Sequence, residues 1–268
     1  MGTVYLLGHP VSHSLSPAMH NAAFAALGLP HRYETRDVEH ARLADTVEAL
    51  RGEGVLGANV TIPHKESALR LVDELADEAR RIGAVNTIVR RSSRLVGDNT
   101  DGYGFARALA AAGVDVTGKD VMVLGAGGAA RACLHALRAA RIVVLAARDL
   151  DRASALAAAV GNPVIPRPWA DARRTAAGID VLVNATPIGL HGEDLLADFV
   201  FSPLPGVIVD LVPTRDMTPL VRRAREAQHV RVVDGLSMLL HQAARSFTLW
   251  TGREAPLAVM RAALPRAI

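Results

Sequence analysis

The chain has 268 residues, half of them apolar and 21% charged, with a formal net charge of +3. This is globular composition for one large domain or two ordinary ones, and it excludes disordered and collagen-like chains. No basic run is interleaved with aromatics, no apolar run reaches the ~18–20 residues of a membrane span, and one cysteine cannot form an internal disulfide, so no nucleic-acid partner, no membrane and a reducing, cytoplasmic setting are expected.

Strand and helix patterns alternate along most of the chain, which predicts an α/β protein with a mainly parallel sheet covered by helices. Thr3–Leu7 reads as a first strand, since no basic stretch precedes it as in a signal peptide. A loop over Gly8–Pro17 follows, then a helix with Ser16 as N-cap and Pro17 in its first turn. Arg32–Arg36 is a predicted strand and Glu39–Arg51 a helix. Gly57–Thr61 is a strand stopped at Pro63, and Lys65–Leu71 is a helix. Asn86–Arg90 and Leu95–Asn99 form a hairpin, and Asp101–Ala112 an amphipathic helix. After a turn at Thr117–Asp120, Val121–Leu124 is a buried strand leading through glycines into the helix Ala129–Ala140. Cys133 lies on that helix among alanines and reads as a small core residue. Ile142–Ala147 (strand) and Arg152–Val160 (helix) come next, then strands at Asp180–Asn184 and Val207–Val212. Thr218–Gln228 is a helix and Val230–Val233 the last strand. The helices Ser237–Thr251 and Pro256–Ala263 have no strands between them.

Gly125-Ala126-Gly127-Gly128-Ala129-Ala130 follows a buried strand and opens a helix, the context in which a Gly-x-Gly-x-x-Gly/Ala run binds a dinucleotide. Gly125 makes the tight turn, Gly127 admits the pyrophosphate against the backbone, and the helix N-terminus supplies N–H groups and positive dipole. An NAD site carries an acid at the end of the second strand. Here Ala147 is followed by Arg148, with Arg152 one turn later, a pair suited to a 2′-phosphate. Asp149 and Asp151 argue the other way, and solvated surface arginines are the plain alternative.

The first block concentrates polar residues. Ser14 and Ser16 flank Leu15, and Asn59 and Thr61 share a strand face. Lys65, Asn86, Thr87 and Asp101 follow. Singly, these are readable as a helix cap, a turn residue or a surface charge; jointly they describe a cleft for a small polyhydroxylated acid. Lys65 stands out, because the only other lysine is Lys119 among 30 basic residues. Arginine cannot release its proton, whereas a partly buried lysine can, so Lys65 with Asp101 is a candidate proton-transfer pair for alcohol oxidation.

Gly8-His9-Pro10-Val11-Ser12-His13-Ser14-Leu15-Ser16-Pro17-Ala18-Met19-His20-Asn21, Asn59-Val60-Thr61-Ile62-Pro63-His64-Lys65, Gly83-Ala84-Val85-Asn86-Thr87 and Asn99-Thr100-Asp101-Gly102 resemble the shikimate dehydrogenase family. Gly125–Ala129, Asn184-Ala185-Thr186-Pro187 and Asp234-Gly235-Leu236-Ser237-Met238-Leu239-Leu240-His241-Gln242 continue the match in family order, so it spans essentially the whole chain. The resemblance implies reversible NADP-linked oxidation of shikimate to 3-dehydroshikimate, a step toward chorismate and the aromatic amino acids. It implies a substrate domain over 1–100, a Rossmann-type NADP domain over 101–236, and helices over 237–268 returning to the first domain. Ser14 and Ser16 would bind the substrate carboxylate. Asn59, Thr61, Asn86, Asp101 and Gln242 would bind ring hydroxyls, and Lys65 with Asp101 would be catalytic. Gly125, Ala126, Gly127, Gly128, Ala129, Arg148 and Arg152 would hold NADP; Leu211 and Gly235 would lie near the nicotinamide, with Asp77 bordering it. No metal is implied. A homodimer is compatible with the family but is not read from these residues.

Two positions depart from the family pattern. Pro213 stands where most members have a tyrosine reaching the substrate carboxylate, which removes a hydrogen bond of roughly 0.5–1.5 kcal/mol unless Thr214 or Arg215 replaces it. Ala147 stands where many have asparagine. The alternatives are a quinate- or aminoshikimate-using relative, with NAD as its cofactor, and a silent NADP-binding module; retention of both Lys65 and Asp101 argues against the latter.

Overall fold

The computed structural model describes residues 1–161, 164–172, 178–199, 203–214 and 216–265. The chain divides into two compact units. Among the described residues, the first comprises Met1–Gly104 with 239–265, and the second Phe105–Met238.

The first unit is built on a six-stranded mixed sheet. Its strands are β1 (Gly2–Gly8), β2 (His31–Asp37), β3 (Val55–Val60), β4 (Glu74–Leu75), β5 (Thr87–Arg91) and β6 (Arg94–Asp98), in the order β2-β1-β3-β5-β6-β4. β1 pairs in parallel with both β2 and β3, while β5 runs antiparallel to β3 and β6. β1 is buried along its whole length, as expected of a strand covered on both faces. β2 is the edge strand; among its seven residues only Tyr33 is buried, and its charged flanks discourage pairing with another sheet. The helices are α1 (Ser16–Ala26), α2 (Leu43–Glu48), α3 (Asp77–Ile82) and the first turn of α4 (Asp101–Ala111), with the C-terminal part of α9 (Gly235–Thr251) and α10 (Leu257–Ala262).

The second unit is a fully parallel sheet of β7 (Asp120–Leu124), β8 (Ile142–Ala147), β9 (Val164–Pro168), β10 (Val181–Asn184), β11 (Val207–Asp210) and β12 (Arg231–Asp234). The order β12-β11-β10-β7-β8-β9 is the doubly wound Rossmann order, with its switch point between β7 and β10. Helices α5 (Gly128–Ala136), α6 (Leu150–Val160), α7 (Trp169–Ala172) and α8 (Pro219–Glu226) belong to this unit. Val121, Val123, Leu134, Leu145, Leu156 and Val209 are among the residues of one apolar core. Thr218 caps α8, its hydroxyl accepting the Val221 N–H at 3.1 Å.

Several sequence readings need correction. Lys65–Leu71 is not an α-helix; only a short 3-10 turn forms over Ser67–Arg70. Glu39–Arg51 is broken into 3-10, α and 3-10 segments around α2. Ser16 is the first residue of α1 rather than its cap; the cap position is Leu15, and the Ser14 hydroxyl accepts the Ser16 N–H at 3.2 Å. The sequence reading omitted β4, α3, β9 and α7. β9 carries two prolines, which argue against a strand but are tolerated here because β9 lies at the sheet edge. Asp101, which the sequence reading placed at the start of the second domain, belongs to the first unit.

Candidate active site

One edge of the first sheet collects the polar residues. β1, β2 and β3 are parallel, so their C-terminal ends share that edge, where α/β sheets bind ligands. Antiparallel β5 begins there, since Thr87 pairs with Asn59, and β6 ends there, since Thr87 also pairs with Asp98. Ser14 and Ser16 follow β1, Asn59 to Lys65 end and follow β3, Asn86 precedes β5, and Asp101 follows β6. The loops after β1 and β3 are tied by the His9 N–H donating to the Ile62 carbonyl at 3.0 Å. A Cβ at Gly8 would stand 2.3 Å from Thr61 Cγ2, so only glycine lets these loops meet.

Lys65 Nζ lies 2.6 Å from Asp101 Oδ2, with side chains only 17% and 5% exposed. The other carboxylate oxygen, Oδ1, accepts from Asn86 Nδ2 at 2.8 Å. The Asn86 amide cannot flip. Its Oδ1 accepts the Thr100 backbone N–H at 2.8 Å, and a backbone N–H can only donate, so Nδ2 must face Asp101. Asp101 is thus an acceptor at both oxygens, the arrangement of a carboxylate. Gln242 of α9 completes this part of the site, its Oε1 3.3 Å from both Asn86 Nδ2 and Thr100 Oγ1. Such a pair within neutral hydrogen-bonding groups can exchange a proton with a bound hydroxyl or carbonyl oxygen.

An aromatic wall supports the site from behind. The Tyr33 hydroxyl donates to Asn59 Oδ1 at 2.8 Å. The His20 ring stacks on Tyr33 with centroids 4.5 Å apart and meets Trp250 edge-on at 5.3 Å. His20 is fully buried and neither ring nitrogen has a hydrogen-bond partner. Burial alone drives its pKa down to about 3 and keeps it neutral. Burial likewise pushes the Tyr33 phenol up, against a smaller opposing effect of Ser16.

The second unit carries the dinucleotide candidates. Gly125 has a φ of +104°, and a Cβ there would press on the Ala185 carbonyl at 2.9 Å, so the turn after β7 requires glycine. Gly127 is the N-cap of α5 with no side-chain cap, and a Cβ there would project into open space. That leaves the helix N-terminal N–H groups accessible to a pyrophosphate, with Gly128 and Ala129 in the first turn. Arg148 and Arg152 are exposed beyond the end of β8. Asp149, which argued for NAD, caps α6 by accepting the Arg152 N–H at 2.9 Å. One oxygen of its carboxylate is thereby engaged by the helix. Gly235 packs on the chain at Leu211 and Val212, where a Cβ would come within 2.6 Å of the Val212 carbonyl. The residues fit a dinucleotide phosphate.

Of the remaining predicted residues, Asp77 opens α3, is exposed and pairs with Arg80 at 2.8 Å. Pro213 is exposed, the Thr214 hydroxyl donates to the Asp216 carbonyl, and Arg215 lies outside the described residues. Sequence reasoning missed Tyr33, Thr100 and Ser246, and gave Thr87 no role. Ser246 stands one helical turn after Gln242, its hydroxyl donating to the Gln242 carbonyl at 3.1 Å, so helical spacing was a usable signal.

Comparison with known proteins joins these observations. Residues 6–88 match the shikimate dehydrogenase substrate binding domain model, 107–238 the shikimate/quinate 5-dehydrogenase model, and 235–264 the shikimate 5′-dehydrogenase C-terminal domain model. The shikimate dehydrogenase (NADP(+)) of Moorella thermoacetica is 46% identical, covering 100% of this chain and 94% of that protein. The crystal structure of shikimate 5-dehydrogenase from Thermus thermophilus in complex with NADP(H) and shikimate is 41% identical at TM-score 0.83, covering 100% of both chains. Quinate dehydrogenase from Corynebacterium glutamicum, solved with NAD, is 31% identical at TM-score 0.85, covering 98% of each. On the strength of full-length relatedness over both units, the chain belongs to the shikimate dehydrogenase family.

Proposed function

We propose that the chain interconverts shikimate and 3-dehydroshikimate with NADP, in the biosynthetic direction consuming NADPH and a proton. The observation that carries the reading is the largely buried Lys65–Asp101 pair, joined by Asn86 and Gln242, at the sheet edge that also carries Ser14, Ser16 and Thr61. NADP, when bound, supplies the hydride acceptor. Lys65 as the neutral amine takes the proton from the reacting hydroxyl on oxidation, becoming the ammonium, and as the ammonium gives it to the carbonyl oxygen on reduction. Asp101 holds the Lys65 side chain in place. Ser14 and Ser16 offer hydroxyl donors to a carboxylate, and Asn86, Asp101 and Gln242 polar atoms to ring hydroxyls. The first unit serves as substrate domain and the second as NADP domain. A cytoplasmic location and a homodimeric assembly belong to the same reading; light scattering on the purified chain reads the second.

The test is kcat/KM for shikimate and quinate, each with NADP and NAD. Shikimate with NADP is expected to be the best combination; a better rate with quinate or NAD overturns the choice of substrate or cofactor. Lys65 and Lys119 are the only lysines, so shikimate should protect Lys65 but not Lys119 from an amine reagent, read by mass spectrometry. Equal labelling with and without shikimate places the acid elsewhere.

The cofactor choice has its own variant. Replacing Arg148 and Arg152 together with alanine should weaken NADP binding by about 10–100-fold, the loss of charged hydrogen bonds worth roughly 1.5–3 kcal/mol, while NAD binding changes little. Titration of each dinucleotide by fluorescence checks this, and an equal loss for both would sink phosphate recognition by these arginines.

A further inference from the structure

Beneath the Lys65–Asp101 pair lies a set of buried neutral groups. Asn59 Nδ2 donates to the Asn86 carbonyl at 3.0 Å and to Thr87 Oγ1 at 3.1 Å. A carbonyl cannot donate, so this contact fixes the Asn59 amide and leaves its Oδ1 to Tyr33. Asn59 is 5% exposed and its amide is taken up by protein partners on both sides. Thr87 Oγ1 in turn donates to Asn86 Oδ1 at 2.8 Å, and Asn86 Nδ2 donates to Asp101 Oδ1. Ser246 closes the set from α9, its hydroxyl 2.8 Å from Thr87 Oγ1 and 3.0 Å from Thr100 Oγ1. The path from Tyr33 through Asn59, Thr87 and Asn86 to Asp101 is continuous, and Thr87, fully buried, is the link between the two amides.

We infer that Thr87 is a positioning residue for the proton-transfer pair. Its hydroxyl couples the Asn59 and Asn86 amides, which keeps Asp101 Oδ1 occupied and leaves Oδ2 to hold Lys65. The inference rests on the proposed roles of Lys65 and Asp101.

The test compares Thr87→Val, which keeps the shape and removes the hydroxyl, with Thr87→Ser, which keeps the hydroxyl. Thr87→Val should lower kcat at least about tenfold while KM for shikimate moves less than about threefold; Thr87→Ser should return kcat to within about threefold of wild type. If Thr87→Val is insoluble, Thr87→Ala against Thr87→Ser makes the same comparison. A wild-type kcat without the hydroxyl overturns the inference, as does equal impairment of both variants, or a matched change in kcat and KM. A wild-type chain without activity on shikimate overturns the proposed function and this role with it, whereas an active wild type with an unaffected hydroxyl-less variant overturns the role of Thr87 alone.

Discussion

Lys65→Ala is expected to lower kcat by about 10²–10⁴-fold with little change in the KM for shikimate, the size and pattern of a lost proton-transfer group. The pattern follows from the geometry. Lys65 Nζ reaches Asp101 at 2.6 Å and makes no other side-chain hydrogen bond among the described residues. Removing it strands a carboxylate that is 5% exposed, so stability should fall as well, and thermal melting must accompany the kinetics. Lys65→Arg separates charge from chemistry. Guanidinium restores the positive charge beside Asp101 but cannot give up its proton, so Lys65→Arg should recover melting temperature more than turnover. Steady-state kinetics on both variants decide the matter: unchanged turnover in either one removes Lys65 from the proton path.

Stability should fall steeply as pH drops below about 6.5, and His20 should account for much of it. In the folded chain its pKa is near 3, against 6.5 ordinarily, because burial disfavours the charged ring. Between those values the unfolded chain binds a proton that the folded chain refuses. The sign is therefore loss of stability on acidification, nothing above about pH 6.5, and on the order of 4–5 kcal/mol across the whole window. By pH 5 about 2 kcal/mol is lost, worth several degrees of melting temperature. Asp210, its pKa raised chiefly by burial, works the other way at the acid end, and His9, raised by Asp37, opposes the trend at the surface. Both persist in His20→Phe, which keeps the stack on Tyr33 and removes the titration. Melting curves from pH 7.5 to 5 should flatten in that variant, and an identical slope would show that His20 is not the responsible group.

The sequence by itself determined the chemistry and most of the frame. The glycine run after a buried strand, the alternation of strand and helix, and the rarity of lysine that marks Lys65 are signals read from residue type and short spacing. Each depends on backbone sterics, periodicity or residue type, and these act over a few positions. Family order along the chain then extended them to both ends. Local signals failed where tertiary context overrode them. β9 is a strand despite two prolines because it needs hydrogen bonds on one side only. The Lys65–Leu71 stretch has helical composition, yet the Val85 N–H takes the Lys65 carbonyl at 2.8 Å and only a short turn survives.

Only the tertiary structure decided how the polar residues divide their work. Asn59 and Asn86 look alike in sequence, but contacts with neighbouring segments engage the Asn59 amide with Tyr33, Thr87 and the Asn86 carbonyl, while Asn86 turns its Nδ2 to Asp101. Asp149 read as a mark against NADP until its carboxylate proved to be the cap of α6. Ser246 lies far along the chain from Thr87, yet their hydroxyls are 2.8 Å apart. Sequence names the donors and acceptors; which of them pair depends on contacts between distant segments, because most buried polar groups must find a partner and the fold decides which ones are in reach.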